Sequence, residues 1–269
     1  MVASLRQPAA SGAAFTAVRP LRRSTPRCTA SPKPPALQRA RVRAGGSSEA
    51  AVPALKEWNV AVEALSDPEI AQTVLMRKGG IREPSFVPVS RRFALVPTTF
   101  HTDDGLLQPR ARGRYPGAGD TPADGGRPES FRLRCIAALT GAWTTTDPRV
   151  LSATNNFHVW SDAFLDTRLK WRPGKPITVL ELRAMLLDPE IVVPAREEHF
   201  GCFSWVDFAD TAPSLDDLFA LGKPVLSDEA FAARQAELRE ELGRLEGVTD
   251  VLASVPDTCD GVAGAGAGP

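Results

Sequence analysis

The chain has 269 residues, of which 43% are hydrophobic, with 32 basic and 32 acidic side chains. That length allows one or two buried cores, and the composition excludes a collagen-like or charge-dominated disordered chain. Nine of the basic residues but only one acid, Glu49, lie in the first 50, so residues 51–269 hold 23 basic and 31 acidic residues. A body that acidic argues against broad coating of nucleic acid by general charge, while a local basic patch stays open to an anion.

Residues 1–50 carry eight Arg and one Lys among Ala, Ser and Pro. An acid-poor, Arg/Ser-rich N-terminus of this kind reads as a disordered organelle transit peptide. No apolar run approaches ~18 residues, so neither a spanning helix nor a secretory core is expected, and no membrane partner. The four cysteines, Cys28, Cys135, Cys202 and Cys259, show no C-x-x-C spacing. Neither a disulfide framework nor a zinc ribbon follows, no metal ligands are assigned, and no cofactor is identified.

In chain order, Pro53–Leu65 reads as a first helix, with Leu55, Trp58, Val62 and Leu65 at helical spacing. Thr73–Met76 reads as a strand that ends in Arg77-Lys78 before Gly79-Gly80. A glycine pair adopts positive φ without a Cβ clash, so a hairpin is predicted, returning over roughly Phe86–Val96. Pro97–His101 then leaves as a loop. Gln108–Ser130 holds five Gly and four Pro without periodicity, and reads as a flexible insertion. Phe131, Leu133 and Cys135 alternate with Arg132 and Arg134, the pattern of a half-buried strand. A short helix follows Pro148, a short strand is expected at Phe157–Trp160, and Asp162–Leu169 suits a helical turn or two. Ile177–Arg183 and Gly201–Phe208 read as strands. Leu215–Leu221 and a longer stretch from a Ser227 cap to about Leu245 read as helices, the second with Phe231, Leu238, Leu242 and Leu245 on one stripe.

The densest chemistry lies at Val74–Glu83. Arg77, Lys78, Arg82, Arg91 and Arg92 put five cations within sixteen residues, with Glu83 the one acid among them. Arg77, Lys78, Gly79, Gly80 and Arg82 are the candidate ligand-binding residues, because cations and free backbone N–H groups both favour a phosphate or carboxylate. Glu83 and His101 are the candidate catalytic pair if the site performs acid–base chemistry. His199 and Cys202 have metal-like spacing but supply only two ligands. Gly222 to Gly243 nearly follows the Nudix spacing, with Glu237, Glu240 and Glu241 matching its Glu cluster. Ala236 stands where that pattern needs Arg, however, and the strands expected after it are missing. Glu181-Leu-Arg183 falls short of a metal-nuclease pattern, since Arg does not serve as a base the way Lys does.

Leu55–Trp58, Leu75–Glu83, Phe93-x-Leu-x-Pro-Thr98 with His101, and Gly201-Cys-x-Ser-Trp-Val-Asp207 together resemble the uncharacterised domain of unknown function 1802 family. The likeness covers about 53–208. It implies a single domain and, from relatives in cyanobacteria and plastids, a chloroplast setting, but no activity. Some members carry a carboxylate before the His of the Pro-Thr motif, where Phe100 stands here. A looser fold-level likeness to PUA-type and ASCH-type RNA-binding barrels also exists.

The expected fold is therefore α+β: one compact domain with a small mixed or antiparallel sheet, a PUA-like barrel among its forms, and a C-terminal helix. Residues 51–210 form that domain with insertion 108–130. Residues 211–247 are a helical extension and 248–269 a disordered tail. The expected function is an anion-binding module for RNA or a small phosphorylated ligand. The alternatives are an enzyme acting on phosphate esters or nucleotides, with or without a metal, and a scaffold that meets a protein partner through helix 227–245.

Overall fold

The computed structural model describes residues 51–79, 86–98, 104–116 and 127–257. The basic leader, Gly80, Arg82, Glu83, His101, residues 117–126 and the tail from 258 lie outside the described residues.

In chain order the elements are β1 (Pro53–Trp58), α1 (Asn59–Leu65), β2 (Val74–Arg77), β3 (Arg92–Thr98) and β4 (Ser130–Thr145). There follow α2 (Val150–Ala153), α3 (Asp162–Lys170), β5 (Ile177–Pro194), β6 (Trp205–Asp207), α4 (Leu215–Leu221), β7 (Lys223–Pro224), α5 (Asp228–Gly243) and β8 (Thr249–Asp250). The class is α+β. The strands join one sheet in the order β2-β5-β4-β3-β1-β6, with β7 beside β5 and β8 beside β4. Only β1 and β3 run parallel, so the sheet is mixed. With eight strands it is larger than expected, and it is open: β2 and β6 stand at its two ends. The closed barrel is therefore not formed.

Two local expectations fail for tertiary reasons. Pro53–Trp58 is a strand, and the helix begins only at Asn59. β1 is an inner strand, paired with β3 on one side and β6 on the other. Ala54 and Leu55 are both fully buried, which erases the alternation that identifies a half-exposed strand. The hairpin also fails. β2 pairs antiparallel with β5, from Val74 opposite Glu181 to Arg77 opposite Thr178. The next strand, β3, lies beyond β5 and β4 in the sheet. The parallel pairing of β1 with β3 requires a crossover connection rather than a tight turn, and α1 and β2 are its content.

The sheet separates two cores. Along β3 the period of two assigns Phe93 and Leu95 to one, Ala94 and Val96 to the other. The first also takes residues from α1, α3 and α5, the second from α4, including Leu218. In the stretch read as a flexible insertion, residues 108–116 are instead tied down. Gln108 donates to the Asn155 and Trp160 carbonyls at 2.9 and 3.1 Å, and Arg110 to that of His158 at 2.7 Å. Arg114 reaches Asp67 and Glu69. The Arg114 bonds hold the Asp67 carboxyl down at about 2.

α5 belongs to the same compact unit, 47–269. Ser227 caps it, its hydroxyl accepting the Ala230 N–H at 3.1 Å, and Phe231, Leu238 and Leu242 are buried. Leu238→Ala is accordingly expected to cost about 2–5 kcal/mol of global stability, as for a core truncation. Urea unfolding followed by far-UV circular dichroism checks this. A helix that merely rests on the body would give a loss below about 1 kcal/mol.

Candidate anion-binding cleft

The cleft forms where the C-terminal ends of β1 and β2 meet the end of α3. At the end of β1, Glu57 is only 6% exposed. One carboxylate oxygen accepts the Trp58 N–H at 2.8 Å, and the other accepts Nη1 of Arg77 at 2.9 Å. Both oxygens of this buried charge thus have donors, as burial requires. The Thr98 hydroxyl donates to the Glu57 carbonyl at 3.0 Å and fixes the strand end.

Arg77 and Lys78 are consecutive and reach different walls. Beyond Glu57, Arg77 donates to the Lys56 carbonyl at 3.3 Å and, through Nη2, to the Ser204 hydroxyl at 2.9 Å. Its guanidinium lies 5.2 Å from the Phe86 ring, and Phe86 stacks on Trp205 at 6.1 Å. One side chain thus ties β2 to β1 and to the segment leading into β6, across ends of the sheet that no strand pairing joins. Lys78 donates to the carbonyls of Leu169 at 3.1 Å and Arg168 at 3.4 Å. These are last-turn carbonyls of α3, which lack intrahelical donors and sit at the negative end of the helix dipole. Burial lowers the pKa of Lys78.

Arg168 completes the group. Its guanidinium sits 5.2 Å from both the Trp58 and the Phe164 ring, a cation–π placement. No hydrogen-bond acceptor for it occurs among the described residues. Burial lowers its pKa, opposed by the charge of Glu57 and reinforced by that of Arg77, yet an Arg stays charged throughout the physiological range. Glu57, Arg77, Lys78 and Arg168, with Trp160 and Phe164 on the apolar side, line a narrow cleft whose cavity volume is about 20 Å³ beneath an open mouth. Three cations face one carboxylate. The arrangement favours an anion, and the aromatic wall favours a ligand that also carries an apolar or planar part.

Of the residues expected at a site, Arg77 and Lys78 line this cleft, and Gly79 follows them, buried. Gly80, Arg82, Glu83 and His101 lie outside the described residues. Arg91 and Arg92 point to partners elsewhere. Arg91 binds the Leu252 and Val255 carbonyls and pairs with Asp257, and Arg92 pairs with Asp216. The Gly201–Asp207 segment does approach, through Ser204. Glu57, Arg168, Trp160 and Phe164 were not foreseen. A single Arg on a short polar helix carries no local signal, and Glu57 belonged to a stretch read as helix. His158 and His199 are each buried, and their Nδ1 atoms accept the N–H of Trp160 and Arg196. No group of three His, Cys, Asp or Glu side chains suited to a metal occurs among the described residues. Nor does any described helix have the length and apolarity to cross a membrane.

A family model described as "Domain of unknown function (DUF1802)" matches residues 54–237. Comparison with curated proteins finds no match. Among solved structures, the crystal structure of ASCH from Zymomonas mobilis aligns with 14% identity and a TM-score of 0.34, covering 64% of this chain and 96% of that one. A serine-to-alanine variant of the same protein gives equal values, and a tyrosine-to-phenylalanine variant gives a TM-score of 0.33.

Proposed function

The chain belongs to the family of the domain of unknown function DUF1802, a membership that brings no activity with it, and we propose from its own residues that it is a binding module for a phosphate-bearing ligand of nucleotide type. The observation that carries this is Arg168: a guanidinium 5.2 Å from both the Trp58 and the Phe164 ring, with no protein acceptor among the described residues, at the wall of the cleft. Guanidinium N–H groups in such a setting match a phosphate's oxygens in pairs. Arg77 and Lys78 add positive potential while remaining committed to Glu57 and to the end of α3. In this reading those two support the site, whereas the sequence alone suggests them as direct contacts on a glycine hairpin. Glu57 supports binding over catalysis, since both of its oxygens already accept hydrogen bonds. The acid-poor leader supports a chloroplast stromal setting for this activity.

The test is titration calorimetry with AMP, adenosine and inorganic phosphate. AMP is expected to bind more tightly than either part alone, because only it uses both the charge and the aromatic wall. Arg168→Ala should weaken AMP about 10- to 100-fold, the worth of hydrogen bonds to a charged group. Raising the salt should weaken AMP binding by wild type more than by the variant. Equal affinity of Arg168→Ala and wild type for AMP would overturn the assignment.

A further inference from the structure

Two exposed aromatic rings belong to the segments that Arg77 and Lys78 bind at the cleft. Among the described residues, two large aromatic side chains stand open to solvent, Trp171 at 47% and Phe203 at 40% exposure. Most aromatic side chains of this chain are wholly or partly buried in its two cores, so exposed rings call for a reason. Each is linked to the cleft through one of two consecutive residues. Arg77 donates to the hydroxyl of Ser204, the residue after Phe203. Lys78 donates to the carbonyl of Leu169, two residues before Trp171, which ends α3. One ring therefore borders the β6 side of the cleft and the other its α3 side.

Phe203 also has a cation over its ring. The Lys56 ammonium lies 4.1 Å from the centroid of Phe203 and donates to the Gly201 carbonyl at 2.7 Å, which fixes the loop that presents the ring. Trp171 is preceded by Lys170 and followed by Arg172 in the sequence.

We infer that the cleft is the central phosphate subsite of a track for single-stranded RNA, with bases stacking on Phe203 and Trp171 to either side. This rests on the cleft's reading as a phosphate site and adds the polymer to it. Exposed rings near a cationic cleft are what unpaired bases require: each base offers a π-face, and each linking phosphate a charge. A duplex keeps its bases stacked inside and has no use for either ring. A free mononucleotide reaches Arg168 alone and leaves both rings idle.

Fluorescence anisotropy of the full chain with end-labelled oligoadenylates, from dinucleotide to nonanucleotide, tests this beside calorimetry with AMP. Affinity is expected to rise with length over the first few nucleotides, and a duplex of the same length to compete poorly. Phe203→Ala and Trp171→Ala should each weaken the nonanucleotide about 10- to 100-fold. Both should leave AMP affinity and the melting temperature unchanged, since both rings lie at the surface, and Phe203→Tyr should bind as wild type. If AMP binds through Arg168 but the nonanucleotide binds no tighter, or if both alanine variants bind it as wild type does, the track is wrong and the cleft stands. If AMP fails to bind, or binds independently of Arg168, the cleft reading falls and the track falls with it.

Discussion

Arg77→Ala is expected to lower the free energy of unfolding by about 3–5 kcal/mol, the scale found when one partner of a buried ion pair is removed. The Arg77 side chain is 19% exposed and its Glu57 partner 7%, so the pair sits well below the surface, where a median exposed pair contributes about 0–1 kcal/mol. The substitution strands the Glu57 carboxylate with the Trp58 N–H as its remaining close donor. It also removes the tie to Ser204 and the cation over Phe86. Pairing Arg77→Met with Glu57→Gln should recover part of the loss: both charges go, and the Gln oxygen still accepts from Trp58. Urea unfolding of the two singles and the double gives the coupling directly. A loss under about 1 kcal/mol for Arg77→Ala would mean that water reaches the pair freely and that the sheet ends do not depend on it. The outcome also separates support from recognition: Arg77 is expected to matter first for the shape of the cleft, Arg168 first for the ligand.

Acidification between pH 6.5 and 4.5 is expected to destabilise the protein through His158. The side chain is 1% exposed. Burial, aided by the charge of Arg110, pushes its pKa down to about 3. Between that value and the usual 6.5 the unfolded chain binds a proton that the native state refuses, so stability falls as pH falls through this window. The slope from this one group is about 1.4 kcal/mol per pH unit. His199, its pKa also lowered chiefly by burial, acts with the same sign. Asp67 has its depressed carboxyl at about 2 and loses its contribution only below the ordinary carboxylate range, so it stays silent above pH 4.5. His158→Asn offers an acceptor oxygen where Nδ1 takes the Trp160 N–H at 3.1 Å and has nothing to titrate. Denaturant midpoints across the window should therefore depend less on pH in the variant. An unchanged slope would show that His158 is protonated in the native state.

Much of the local structure was legible. The helix at Leu215–Leu221 matches residue for residue. α5 begins after the Ser227 cap that its hydroxyl supplies, and β2 is displaced by one residue from the stretch read as Thr73–Met76. Those elements are set by caps and short apolar patterns within a few residues. β5 was recognised at its start, but it runs to Pro194, since much of its second half pairs with β4 rather than following a pattern of its own. Gln108–Arg114 looked free because its composition is that of a loop, and composition does not reveal that Gln108, Arg110 and Arg114 have acceptors waiting 45 residues or more away in the chain.

By itself, then, the sequence determined the α+β class, the family, and Arg77-Lys78 as charged residues at the end of a strand. The tertiary structure alone decided what that strand adjoins and what those charges do. β2 chose β5 over the strand that follows the glycines, because β1 and β3 run parallel and need the intervening chain as a crossover. Arg77 found Glu57 and Ser204, Lys78 found the end of α3, and among the described residues lining the cleft the cation with open donors is Arg168, about 90 residues further along. Strand neighbours and side-chain partners form between positions far apart in the chain, where no local pattern records them. The charge was visible at Val74–Glu83; which guanidinium stayed open to an anion was set by packing.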